Sequence, residues 1–75
     1  MEEIRDDENH LLCRADADRG ILERTDRGNM IRVVLPPKGE MLFLNNRQSF
    51  TLIRRTEDGI FYVTRGHYRG RLITG

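Results

Sequence analysis

Residues 20–35, Gly-Ile-Leu-Glu-Arg-Thr-Asp-Arg-Gly-Asn-Met-Ile-Arg-Val-Val-Leu, leave little room for anything but two strands and a tight turn. Ile21 to Thr25 is short and half apolar, Asp26-Arg27-Gly28-Asn29 is turn chemistry, and Met30 to Leu35 is a β-branched run. Because side chains alternate along a strand, Ile31, Val33 and Leu35 share one face, and Met30, Arg32 and Val34 share the other. The second strand therefore sets a guanidinium behind its most apolar stripe. A packed interior with a cationic exterior is the pattern to follow through the rest of the chain.

The length of 75 residues admits one domain with a modest core, since a chain of this size buries only about 60% of its unfolded surface. With one third of the residues charged and no Trp, a large enclosed cavity is not expected, and the reading is of a protein that is not an enzyme and holds no cofactor. A single cysteine, Cys13, excludes an internal disulfide and fits a reducing compartment. The opening residues carry Glu2, Glu3, Asp6, Asp7 and Glu8 and no apolar core of a signal peptide, and no run reaches membrane-spanning length. The expected location is cytoplasmic, with no membrane partner. The formal charge of +1 conceals a split. From Met1 to Asp26 four arginines stand against nine acids, a balance of −5, whereas from Arg27 to Gly75 eight arginines and Lys38 stand against three acids, a balance of +6. A basic C-terminal portion rich in arginine, whose planar fork grips phosphate and stacks on bases, points to a polyanionic partner. Solvated strand faces filled with arginine are the plainer alternative.

In chain order, residues 1–19 read as an acidic, partly flexible arm, with Ile4, Leu11, Leu12 and Ala15 near one helical face and a strand through His10 to Arg14 competing with that short helix. Residues 20–75 form the folded domain. After the hairpin, Pro36-Pro37-Lys38-Gly39 is a turn, because neither proline can donate to a ladder. Met41 to Leu44 is a wholly apolar strand, Asn45 to Ser49 a polar interruption, and Phe50 to Ile53 a strand or one helical turn. Ile60 to Thr64 has the clearest β-propensity. Arg65-Gly66-His67-Tyr68-Arg69-Gly70 reads as a basic, glycine-flanked loop and Arg71 to Thr74 as a last strand. Short strands with Gly and Pro turns predict an all-β domain, a small closed or nearly closed β-barrel, since open edges on so small a sheet invite aggregation.

Gly20 with Ile21-Leu22, then Met30-Ile31-Arg32-Val33 and Leu35, resembles the opening of bacterial and organellar translation initiation factor 1. Val63-Thr64-Arg65 and Tyr68-Arg69-Gly70-Arg71-Leu72-Ile73 look like that family's final hairpin, and Arg47-Gln48-Ser49-Phe50 is similar to its basic loop and short helix. Ile31 stands where the family has an aromatic, and Pro36-Pro37 where it has an Asn-Gly type turn. The resemblance implies a five-stranded oligonucleotide-binding (OB) barrel and an RNA partner, the small ribosomal subunit or another structured RNA.

Such barrels bind single strands by stacking bases on aromatic or guanidinium planes while cations follow the phosphates. The candidates for the backbone are Arg32, Arg47, Arg65, Arg69 and Arg71, those for stacking His67, Tyr68 and Tyr62, and all are expected on one wet flank. Tyr62 lies in a β-run, so a half-buried strand residue is its plainer reading. His10 and Cys13 have the gap of a zinc site, but only His67 remains as a further donor, so no metal is expected. No phosphate-binding loop or nucleophile motif is present. Two other readings compete. Gly28-Asn29, Val33, Leu35-Pro36 and Glu57-Asp58-Gly59 also look like the swapped-hairpin DNA-binding domain of transition-state regulators and antitoxins, an obligate dimer, whereas the barrel is expected to be a monomer. A small inhibitor or adaptor of another protein, using the acidic arm or the strand Met41 to Leu44, is the third.

Overall fold

The chain, seen in a computed structural model, is described over residues 1–45 and 48–68. The opening hairpin forms as the sequence predicts. β3 (Ile21–Asp26) and β4 (Asn29–Val34) pair from Ile21↔Val34 to Asp26↔Asn29, and Arg27 and Gly28, at φ 50° and 83°, make the two-residue connection. Positive φ at both central residues is the type I′ geometry whose twist matches the strands it joins.

Of the readings open for residues 1–19, the strand through His10 to Arg14 is the one that forms, not the arm or the short helix: β1 (Glu2–Arg5) pairs with β2 (Leu11–Asp16) in a second hairpin. The period of two decides it: Cys13 and Ala15 are buried while Arg14 between them is exposed, and Ile4 sits opposite Cys13. Three buried side chains, Ile4, Cys13 and Ala15, and a ladder of backbone bonds outweigh the acidic composition. β1 to β4 make one antiparallel sheet in sequence order.

β5 (Glu40–Leu44), β6 (Ser49–Arg55) and β7 (Phe61–His67) make a second antiparallel sheet. The segment 50–53 is thus strand, and β7 runs through Arg65 and Gly66, which the sequence places in a loop. Gly66 continues the strand because the ring of Phe50 lies over it, where a Cβ would stand 2.7 Å from Phe50 Cζ. The last expected strand, Arg71 to Thr74, lies outside the described residues.

The sheets face each other across one core. The row Ala15↔Leu22↔Val33 meets the row Met41↔Ile53↔Val63, with Leu22 and Ile53 at 2% and 0% exposure, and Phe43, Phe61 and Val63 pack around them. Each such aliphatic side chain, fully buried, is worth about 1.5–3 kcal/mol. Leu35, just beyond β4, closes one end.

The architecture is all-β, as expected, but it is not the closed five-stranded OB barrel: among the described residues seven strands lie in two sheets and no helix occurs. On one side β7 is stitched to β1 and to the turn that follows it, Arg65 Nε donating to Arg5 O at 2.6 Å and His67 pairing with Asp7 at 3.4 Å. On the other side β4 and β5 are not paired. The Pro36-Pro37-Lys38-Gly39 turn explains the gap. Gly39 N bonds Pro36 O at 2.8 Å and Lys38 N bonds Arg55 O at 2.7 Å, so the chain leaves the turn against β6 and not against β4. No helix of the described residues is long and apolar enough to cross a membrane.

Candidate nucleic-acid interface

The outer face of the four-stranded sheet carries charges in register: Glu3↔Arg14↔Glu23↔Arg32, alternating in sign across four strands. Arg32 Nε donates to Glu23 Oε2 at 2.9 Å, and Arg5 reaches Glu3 at 3.1 Å. Cross-strand opposite charges stabilise a sheet by about 0.2–1 kcal/mol per pair. Arg32 is therefore part of a charge ladder, on the face its sequence position predicts.

Tyr62 lies elsewhere again, on the outer face of the three-stranded sheet at 59% exposure, opposite Arg54, which is held by Glu40 at 3.4 Å. Arg32, Tyr62 and the end of β7 do not share one flank. What the structure brings together is Arg65, His67 and Tyr68, at that end of β7. Tyr68 hydroxyl donates to Asn45 O at 3.3 Å, fixing the ring beside the β5–β6 connection. Arg47, Arg69 and Arg71 lie outside the described residues.

The same rim receives a side chain that the candidate set omits. Arg24 follows Leu22 by two residues on β3 and shares its inward face, but it sits beyond the packed row, and its guanidinium carbon stands 5.7 Å from the centroid of Phe43. Phe43 is in register with Thr51, and Thr51 with Arg65. At 4.7–4.9 Å per strand, Phe43 and Arg65 are about 10 Å apart along that row. Arg24 from one sheet and Arg65 from the other thus flank one patch. Neither makes an ion pair among the described residues; Arg24 rests on the ring and Arg65 spends Nε on a carbonyl. The period-two alternation from Leu22 is the signal that places Arg24 inward.

Beside Arg24 opens a cleft of about 180 Å³, lined also by Asp6, Leu12, Phe43, Asn45 and Thr51; Arg65 is not part of its lining. It is smaller than the ~300–1,000 Å³ of sites that enclose a drug-sized ligand. Two acids share this rim, and the fold uses both. The Asp6 carboxylate accepts the amides of His10 at 2.8 Å and Glu8 at 2.9 Å. These bonds, His10's foremost, hold its pKa below the usual carboxylate value of 3.8, although partial desolvation pulls the other way. Asp7 accepts the Ser49 hydroxyl at 3.1 Å and faces His67. Cys13 is in the core, where burial pushes its thiol up and Arg24 pulls it partly back. Among the described residues no group of three His, Cys, Asp or Glu side chains is placed to hold a metal.

Compared with known proteins, the chain matches no family model, no curated sequence and no solved structure.

Proposed function

We propose that the protein is a non-catalytic RNA-binding module that takes a single-stranded segment across the rim formed by Arg24, Arg65, His67 and Tyr68. One observation carries this reading: two guanidiniums from opposite sheets flank Phe43 and Thr51 with no carboxylate paired to either among the described residues. Arginine stacked on an aromatic ring offers a flat cationic surface, which suits a base on one side and a phosphate at its edge. Arg69 and Arg71 follow closely on Tyr68 in the sequence and extend the cationic run. Arg32 has no part in this interface, because it stands in the charge ladder on the outer face of the four-stranded sheet, away from the rim. The likeness to translation initiation factor 1 directs the choice of RNA to ribosomal or other structured RNA with exposed single strands, in the cytoplasm.

Fluorescence anisotropy with a short single-stranded RNA, measured over a series of salt concentrations, tests the reading. Arg24→Ala and Arg65→Ala should each weaken binding and flatten the log–log salt slope by about 0.7 for each phosphate left without its cation. The pair Arg69→Ala with Arg71→Ala should do the same. Arg32→Ala should leave affinity and slope unchanged. Absence of binding at low salt, preference for duplex DNA, or an Arg32→Ala loss equal to that of Arg65→Ala would overturn it.

A further inference from the structure

On the open side of the molecule β4 and β5 are edges with no strand partner among the described residues, and they differ in one respect. β4 is guarded, since Arg32 stands in its middle, and an antiparallel pairing of two β4 strands centred there would set guanidinium against guanidinium. β5 is not guarded. From Met41 to Leu44 it carries no charge, proline or glycine, the devices by which natural edge strands avoid pairing. Its outward side chains, Leu42 and Leu44, are 50% and 44% exposed, and its inward ones, Met41 and Phe43, are only partly covered. Beyond β5 the outer face continues with Leu52 beside Leu42 and Phe50 beside Leu44. Its charges at that end, Glu40 and Arg54, pair with one another. The surface is neutral, and it offers nothing to a polyanion.

We infer that β5 pairs antiparallel with β5 of a second copy, on a two-fold axis at Leu42, joining two three-stranded sheets into one of six. The register is self-complementary. Leu42 meets Leu42 of the other copy, Met41 meets Phe43, and the one charged residue, Glu40, falls at the end of the ladder, where Arg54 holds it. Such an isologous contact closes on itself and goes no further. It also explains how a strand apolar on both faces stays at an edge: the second copy covers its backbone and extends the inner and outer apolar surfaces at once.

Size sets the strength. At roughly 30 Å² per methylene-sized group, half-exposed leucines on two copies contribute a few hundred Å² of apolar surface. With backbone, Met41 and Phe43 added, the interface stays near about 1,000 Å² in total, the range of weak associations. The dimer is therefore expected to be weak, and the concentrations to search run from about 10 µM to about 1 mM.

Sedimentation velocity over about that same range of concentration reads the equilibrium. A discrete monomer–dimer series is expected. Leu42→Lys places like charges across the two-fold axis and should raise the dissociation constant at least about tenfold, since an opposed like-charge pair replaces an apolar one; its thermal melt reports that the monomer still folds. Thr64→Lys lies in the same cross-strand row but on the far edge, and it should leave the dimer intact. Hydrogen exchange should slow with concentration at the amides of residues 41–44. A chain that stays monomeric throughout, a series of ever larger species, equal weakening by Thr64→Lys, or concentration-dependent protection confined to another strand would overturn the proposal.

Discussion

Gly20 and Arg55 make the sharpest stability test, because each explains the other. Gly20 is buried at φ 68°, and the Arg55 guanidinium lies against it on the way to Leu35 O, which it reaches at 2.9 Å. A Cβ at residue 20 would overlap that guanidinium and stand 3.0 Å from the Leu35 carbonyl oxygen. Gly20→Ala therefore carries two costs. The left-handed conformation costs a side-chain-bearing residue about 1–2 kcal/mol. Displacing Arg55 forfeits a charge-assisted hydrogen bond, about 1.5–3 kcal/mol. Their sum, about 2.5–5 kcal/mol, is a large share of the ~4–11 kcal/mol total expected of 75 residues, and should lower Tm by roughly 10–40 °C. In an Arg55→Met background the second cost is gone, since methionine reaches only as far as the Nε position and leaves the space beside residue 20 empty. Gly20→Ala should then cost only about 1–2 kcal/mol, a coupling of about 2 kcal/mol by thermal melts of the four proteins. If the two substitutions add to within about 0.5 kcal/mol, the guanidinium does not fill that space and the reasoning fails.

Two further outcomes follow from the pKa directions. Asp6 is held below its ordinary value in the folded state, so its contribution is present above the unfolded pKa of about 3.8 and is lost as pH falls through the lower folded one. Asp6→Asn should flatten stability against pH in that acidic window and nowhere above it, as read by urea melts at each pH. The buried Cys13 thiol, with its raised pKa, should resist a thiol-directed reagent at neutral pH in the folded protein and react promptly in denaturant; equal rates would place it at the surface.

The parts of the fold legible in the sequence are those where periodicity and turn chemistry agree. Asp26-Arg27-Gly28-Asn29 specifies its own turn, and the alternation of Ile31, Val33 and Leu35 names the inward face, although burial reaches only Val33 and Leu35 and leaves Ile31 exposed. Residues 1–19 are harder, because seven acids hide the alternation Cys13, Ala15, and because a strand that gains its partner from a neighbouring hairpin leaves no mark of that partner. Closure is not legible. Whether β4 and β5 pair depends on where two prolines aim the chain, a question of three dimensions. At the candidate interface, alternation puts Arg32 on the outward face, where it is, but the glutamate opposite it is set by register. Arg24 is within reach from Leu22 once the alternation is carried one step past the apolar residues.

The stitched side of the molecule has a consequence for how it meets a partner. Asp7 faces His67 and Glu23 faces Arg32, so the acidic third and the basic remainder are interleaved in space although separated in sequence. Beyond a Debye length, about 8 Å in physiological salt, charges paired in this way present almost no net field to an approaching polyanion. Capture has to wait until a strand touches the rim itself, so encounter should be slow and nearly indifferent to distant charge, with discrimination arising after contact.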